Sequence, residues 1–143
     1  MSSQVANKAR FELSNGRIDF ASDTFKMILM STGFTFDPDT HHGYADLSAS
    51  ELANGNGYTT GGVTLAGVTV TENDTTDLCE ITWNNATWTA SGGTIGPTPG
   101  AVIFDDTAAS PQADTVVGYI DFGGEVTEPD GGVATVANPK VTV

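Results

Sequence analysis

Residues 63–71 read VTLAGVTVT, and in its two halves apolar side chains alternate with threonine. Alternation with a period of two places the apolar side chains on one face of an extended strand. Residues 101–104 (AVIF) and 116–122 (VVGYIDF) are short apolar runs typical of strands inside a sheet. These stretches predict an all-β fold, an antiparallel β-sandwich or β-barrel.

Further strands are predicted on both sides of these runs, giving seven or more in total. Residues 24–30 are predicted to form a buried strand and residues 78–83 another, and Pro139 makes the last strand either an edge strand or a bent one. Residues 92–99 are rich in glycine and proline and are predicted to form a loop. Because no long helical pattern alternates with the strands, a parallel α/β sheet is disfavoured.

Two segments depart from the strand pattern. Val5, Ala9 and Leu13 recur every four residues before Asn15 and Gly16, which predicts a short helix over residues 4–13. Residues 31–62 are predicted to form a long ordered surface loop, with one helical turn at residues 51–53 after the S-x-x-E spacing at 48–51. We divide the chain into an N-terminal helix or arm, residues 1–22, and a single β-domain, residues 23–143.

The overall charge argues against several classes of partner. The 143 residues carry 5 basic and 18 acidic side chains, for a formal net charge of −13. Nucleic acid and anionic membrane surfaces would repel such a chain, so neither is expected as a partner. The N-terminal residues lack the apolar core of a signal peptide, which favours a protein made and kept in a cytoplasm.

The charge is unevenly distributed along the chain. Residues 1–26 hold four basic and three acidic residues, a net of +1, whereas residues 27–143 hold fifteen acidic residues and one lysine, a net of −14. The N-terminal segment either packs on its own acidic domain or contacts a neighbouring subunit. For the second interpretation, the candidate interface residues are Lys8, Arg10, Phe11 and Arg17.

Motifs for catalysis or metal binding are weak. His41-His42 is the only histidine pair, and on an extended chain its two side chains point in opposite directions, so a solvated loop is favoured over a metal site. The acidic stretches at 37–39 and 73–77 resemble calcium loops, but turns with side-chain to backbone hydrogen bonds are favoured. We therefore expect no metal and no cofactor.

No residue combination selects a reaction. The chain has no G-x-S-x-G motif, and its single Cys79 lies in a predicted strand. Trp83 and Trp88 are expected in the core. The alternative is that Trp88, Tyr58 or Tyr44 serves as a platform for carbohydrate, with or without calcium. We expect no catalytic residues and a protein that is not an enzyme.

Most of the chain resembles a group of small structural proteins of tailed bacteriophages. The resemblance rests on the segments ANKAR (6–10), GRIDF (16–20), DTFKMIL (23–29), NGYTTGG (56–62), LAGVTV (65–70), ATWTA (86–90) and GYIDFG (118–123). Each segment is a strand pattern with turn glycines. The glycine-rich and proline-rich segment 92–99 departs from the pattern of the group.

The resemblance implies a virion protein, assembled in the host cytoplasm, that decorates or cements the capsid. The implied partners are the major capsid protein, neighbouring copies of the chain, or both, with the copies arranged as a symmetric homo-oligomer. A tail or head–tail joining component is the first alternative, and a carbohydrate-binding module on the virion surface is the second. The N-terminal cations would then face an acidic patch on the capsid protein or on the next subunit.

Overall fold

The computed structural model describes residues 1–107 and 113–143, with 45% of the chain in strands and 10% helical. This confirms the predicted antiparallel all-β fold with a short N-terminal helix. The strands are β1 (Ser2–Val5), β2 (Phe25–Leu29), β3 (Val63–Thr64), β4 (Thr69–Asn73), β5 (Leu78–Thr82), β6 (Ala86–Thr89), β7 (Ile95–Asp105), β8 (Val116–Glu128), β9 (Val133–Val136) and β10 (Lys140–Thr142). The helix is α1 (Asn7–Ser14), and two 3-10 turns cover Tyr44–Asp46 and Ser48–Ser50.

The strands form three antiparallel sheets. The largest has the order β1-β8-β7-β2-β3, the second has the order β10-β5-β4, and the third pairs β6 with β9. β7 and β8 are the longest strands, and β7 lies at the centre of the largest sheet. β10 is an edge strand, as Pro139 predicts.

The core is formed by apolar side chains from all three sheets. Ile28 of β2, Ile103 of β7, Ile81 of β5 and Val136 of β9 belong to one buried cluster. The predicted strands over 24–30 and 101–104 are buried parts of β2 and β7. Burial on both sides of β7 explains why its apolar run is continuous rather than alternating.

The N-terminal segment contributes to the largest sheet. β1 pairs with β8 from Ser2 opposite Asp121 to Val5 opposite Gly118. The predicted helix over residues 4–13 therefore begins later, at Asn7, because residues 4 and 5 belong to this strand and Ala6 is extended. Residue 26, where the N-terminal segment of net charge +1 ends, lies inside β2, so the change in charge along the chain does not separate two structural units.

The long loop over residues 31–62 is ordered, as predicted, but its helical turn lies elsewhere. A 3-10 turn covers Ser48–Ser50 and ends at Glu51, in place of the predicted turn at residues 51–53. The side chain of Glu51 points inward, and its oxygens accept hydrogen bonds from the hydroxyls of Tyr44 (2.5 Å) and Tyr58 (2.6 Å) and from the N–H of Gly61 (2.8 Å). Satisfying this buried carboxylate fixes the loop conformation.

The segment 92–99 is not entirely a loop. β7 already begins at Ile95 and pairs with β8 through Ile95 opposite Glu128 and Thr98 opposite Val126. The register between the two strands shifts on both sides of Thr98. Glycine and proline are tolerated here because the pairing is irregular at these shifts.

Gly61 and Gly62 provide a test of the close packing between the loop and β2. Both have positive φ, +91° and +71°, but a Cβ on Gly62 would lie 1.8 Å from the carbonyl oxygen of Met27, whereas a Cβ on Gly61 would meet no atom within 4 Å. Gly61→Ala should lower the free energy of unfolding by about 1 kcal/mol, because alanine is strained at this positive φ. Gly62→Ala should lower it by about 3 kcal/mol or more, because the clash with Met27 adds to the strain. Urea unfolding followed by tryptophan fluorescence measures both, and equal losses would contradict the predicted clash.

Candidate interaction surface

Helix α1 packs with one face against the body and exposes the other. Ala9 and Glu12 are buried on the inner face. Its first turn is held by hydrogen bonds from the N–H of Asn7 to the carbonyl of Pro38 (3.0 Å) and from the Asn7 side chain to Asp39. Lys8, Arg10, Phe11 and Arg17, the four residues named from the sequence, lie on this helix or directly after it; we call them the helix surface.

Two of these cations are bound to a single buried carboxylate. Glu12 is 1% exposed, with Lys8 Nζ at 3.0 Å from Oε1 and Arg17 Nη1 at 3.4 Å from Oε2. Burial alone would raise the pKa of Glu12, but the hydrogen bonds and charges of Lys8 and Arg17 outweigh it and hold the pKa below its usual value. Lys8 and Arg17 therefore have a structural role in this chain.

The end of the helix brings Arg17 back to Glu12. Gly16 adopts φ +70°, and the N–H of Arg17 then donates to the carbonyl of Glu12 at 2.9 Å. This is the hydrogen bond that closes a helix through a left-handed glycine. The stop signal at Asn15 and Gly16 thus positions a cation as well as ending the helix.

Arg10 and Phe11 form the more accessible part of the helix surface. Phe11 is 53% exposed, and Lys8 Nζ lies 4.7 Å from the centroid of its ring. The guanidinium of Arg10 donates to the carbonyl of Val5 and to the side chain of Asn7, and no carboxylate among the described residues forms an ion pair with it. An exposed aromatic ring beside an unpaired arginine is suited to bind an acidic partner with an apolar contact point.

Glu12 was not singled out from the sequence, although a local signal exists. Lys8 and Glu12 are separated by four residues, the spacing that brings side chains together on a helix. The third member, Arg17, depends on the turn at Gly16 and is not visible from helical spacing alone. From this spacing alone, Lys8 could have been predicted to pair with Glu12 and so not to be available to a partner.

Glu12→Gln should destabilise the fold more than a matched change at the surface. The substitution leaves Lys8 and Arg17 without a carboxylate, at an expected cost of about 1–2 kcal/mol because both cations stay partly hydrated. The control is Glu80→Gln, whose partly exposed ion pair with Lys140 (3.3 Å) should contribute less than about 1 kcal/mol.

Chemical denaturation at neutral pH measures both losses. The pKa of Glu12 is lowered in the fold, so its stabilisation is present above the ordinary pKa of a glutamate and is lost as the pH falls. The difference between wild type and Glu12→Gln should accordingly shrink in acid. A loss no larger than that of Glu80→Gln would show that Glu12 contributes no more than a surface pair.

The candidate metal motifs form turns. Asp37 Oδ1 accepts from the N–H of Asp39 at 2.9 Å, and Asn73 Oδ1 accepts from the N–H groups of Thr75 and Thr76 at 3.0 and 3.2 Å. These are the side-chain to backbone hydrogen bonds expected of such turns. His41 Nδ1 accepts from the N–H of Asp37 at 3.0 Å. Within residues 1–107 and 113–143, no three His, Cys, Asp or Glu side chains are grouped to hold a metal ion.

The three aromatic residues of the carbohydrate alternative do not form a shared exposed face. Trp88 and Tyr58 are both buried, with ring centroids 6.3 Å apart, and the half-buried Tyr44 stacks on Phe104 at 5.0 Å. A sugar platform needs an exposed aromatic face, which neither Trp88 nor Tyr58 offers. Trp83 is also buried, as expected for a core residue, and packs against Phe25 at 5.6 Å.

A pair of carboxyl groups at the end of β7 was not foreseen from the sequence. Asp105 is 0% exposed; its Oδ1 accepts from the N–H of Thr107 at 2.8 Å, and its Oδ2 is buried without an N–H or hydroxyl donor among the described residues. The neighbouring group is the carboxyl of Asp23, whose Oδ2 accepts from the N–H of Asp19 at 2.9 Å. Burial, followed by the hydrogen bond to Asp23, raises the pKa of Asp105 to about 6.

The carboxyl pair predicts a stability change with pH. A raised pKa means that the folded state binds the proton more tightly, so the stabilisation is complete below the ordinary aspartate pKa and is lost as the pH rises to about 6. Asp105→Asn retains an acceptor for Thr107 and donates to Asp23 at any pH. Relative to wild type, the free energy of unfolding of this variant should rise by on the order of 2 kcal/mol between pH 4 and pH 8.

Thermal unfolding of both proteins across this pH range tests the expectation. Asp74→Asn, which removes a carboxylate from an exposed turn, is the matched control and should show little of this pH-dependent gain. If the difference in unfolding temperature between Asp105→Asn and wild type is the same at every pH, the raised pKa of Asp105 is contradicted.

Comparison of the chain with family models, curated proteins and solved structures gives no significant match. Among the described residues, no helix has the length and apolar character needed to cross a membrane.

Proposed function

We propose that this chain is a structural protein of a tailed-bacteriophage virion, with a binding role rather than a catalytic one. Within that class, the role we propose is capsid decoration: copies bind the lattice of the major capsid protein and stabilise it. The observation that carries the proposal is the helix surface, where Phe11 and Arg10 are exposed on an otherwise strongly acidic antiparallel β-body. The resemblance of the sequence segments to small phage structural proteins points in the same direction.

Physical reasoning supports this combination of features. A decoration protein needs a rigid scaffold and a defined contact surface, and the central strands and the carboxylate-bound loop supply such a scaffold. Many copies on one lattice gain avidity, so each contact can be modest. An acidic exposed body keeps crowded particles from associating with one another.

The test is the number of copies in purified particles that carry the chain. Roughly hundreds of copies spread over the shell support decoration, because a closed shell repeats its contacts by symmetry. About a dozen copies or fewer at one vertex would support the tail or head–tail alternative instead. Absence from particles would contradict both.

Point substitutions are the appropriate variants, because removing the N-terminus would also remove β1 from the sheet. Phe11→Ser should lower the occupancy of particles about tenfold or more, since an exposed aromatic at an interface contributes a large share of the binding energy. Val133→Ser, which removes an exposed apolar side chain from β9, is the matched control. If both variants saturate particles like the wild type, the helix surface is not the contact.

A further inference from the structure

A second unusual surface lies on the hairpin formed by β4, β5 and the turn between them, residues 69–82. Every residue of β4 except Asn73 is exposed, although β4 is part of a sheet. In the described parts of the chain, no strand pairs with the outer edge of β4. An open strand edge exposes unpaired N–H and carbonyl groups, which is how sheets commonly meet partners.

The charges of this hairpin are all of one sign. It carries Glu72, Asp74, Asp77 and Glu80 and no basic residue. Glu80 binds Lys140 at 3.3 Å, whereas Glu72, Asp74 and Asp77 form no ion pair with any described residue. Val70 is 50% exposed and Leu78 is 43% exposed on the same hairpin. We call these residues the acidic hairpin.

The acidic hairpin and the helix surface are complementary. On the helix surface Lys8 and Arg17 are paired with Glu12, whereas Arg10 has no carboxylate partner among the described residues and lies near the exposed ring of Phe11. The acidic hairpin offers three unpaired carboxylates beside two exposed aliphatic side chains. No ion pair connects the two surfaces within one molecule in the described residues. Each surface is therefore free to meet its counterpart on another molecule.

We propose that copies of this chain associate head to tail, with the acidic hairpin of one copy bound to the helix surface of the next. A single contact between two different surfaces is heterologous, and its repetition gives a ring or an extended array. The inference rests on the proposed function only for its setting, a shell on which copies lie side by side. On the shell this contact occupies the helix surface, so the loss of particle occupancy expected for Phe11→Ser reports contact between neighbouring copies.

The large net charge does not prevent this contact. Each copy carries −13, so two copies repel at long range. At physiological ionic strength the screening length is about 8 Å, which leaves the charges at the contact to determine the orientation. The association should weaken at high salt, and the exposed apolar side chains should keep part of it.

Charge reversal provides the central test. Arg10→Glu on the helix surface and Glu72→Lys on the acidic hairpin should each weaken self-association about tenfold or more. An equimolar mixture of the two variants should associate again, because the two reversed surfaces attract each other at one contact and the two unchanged surfaces attract each other at the other. A chain carrying both substitutions should associate by itself. Only a contact between two different surfaces predicts this pattern.

The measurement is sedimentation of the purified full chain at concentrations up to about 0.5 mM, a range that also detects the weak association typical of small contacts. Glu128→Lys, another glutamate on a strand with the same change in charge, is the control and should associate like the wild type. Circular dichroism and unfolding midpoints show whether each variant keeps the fold.

Three outcomes would overturn the inference: a wild-type chain that remains monomeric, single variants that associate like the wild type, or a mixture that does not recover association. Particle binding is scored separately. Particle binding by a monomeric chain would reject the head-to-tail contact and leave the proposed function standing. Self-association that recovers in the mixture, without particle binding, would support the head-to-tail contact and reject the proposed function.

Discussion

The antiparallel pairing of β7 with β8 is the interaction on which the rest of the structure depends. β8 carries β1 on its other side and β7 carries β2, so every strand of the largest sheet is attached through this pair. The pair has register shifts near Thr98 and near Ile103, which allow two strands of unequal length to stay bonded. Helix α1 follows β1 directly, so the position of the helix surface also follows from this pairing.

The basic N-terminal segment serves the fold before it serves any partner. Lys8 and Arg17 bind Glu12, and Lys26 binds Asp106 at 3.4 Å, so three of its four cations are paired with carboxylates of the same chain. This supports the interpretation that the segment packs on its own domain. Arg10 and Phe11 remain for an external contact, and they form a smaller surface than the charge count alone suggests.

The sequence predicted features that depend on local pattern and missed those that depend on distant residues. Period-two alternation and short apolar runs predicted strands, and Asn15-Gly16 predicted the end of the helix, although β4 is exposed on both faces and not half-buried as its alternation implied. The strand at residues 2–5 was missed because its pairing with β8 overrides a helical spacing. The four residues of the helix surface were named from charge and position, but the sequence did not show that Lys8 and Arg17 are bound to Glu12. The pair Asp23 and Asp105 has no local signal, since one member precedes β2, the other ends β7, and only the pairing of these strands joins them.

Three buried carboxyl groups show how an acidic chain stabilises carboxyls inside its fold by different means. Glu12 is paired with two cations, Glu51 accepts from two tyrosine hydroxyls, and Asp105 shares a site with a second carboxyl. Each solution has its own response to pH.

Protonation of Glu12 removes ion pairs and weakens the fold in acid, whereas ionisation of Asp105 places two like charges together and weakens it as the pH rises. At Glu51 the pKa that is shifted belongs to a hydrogen-bond donor. Burial and the hydrogen bond to this carboxylate raise the pKa of Tyr44 to about 12, so its phenol remains protonated, and a donor, at neutral and acidic pH. The loop held by Glu51 is therefore insensitive to tyrosine ionisation over the range in which the other two sites change. The ion pairs of the N-terminal helix and the carboxyl pair at the end of β7 therefore change the stability of the fold in opposite directions as the pH changes.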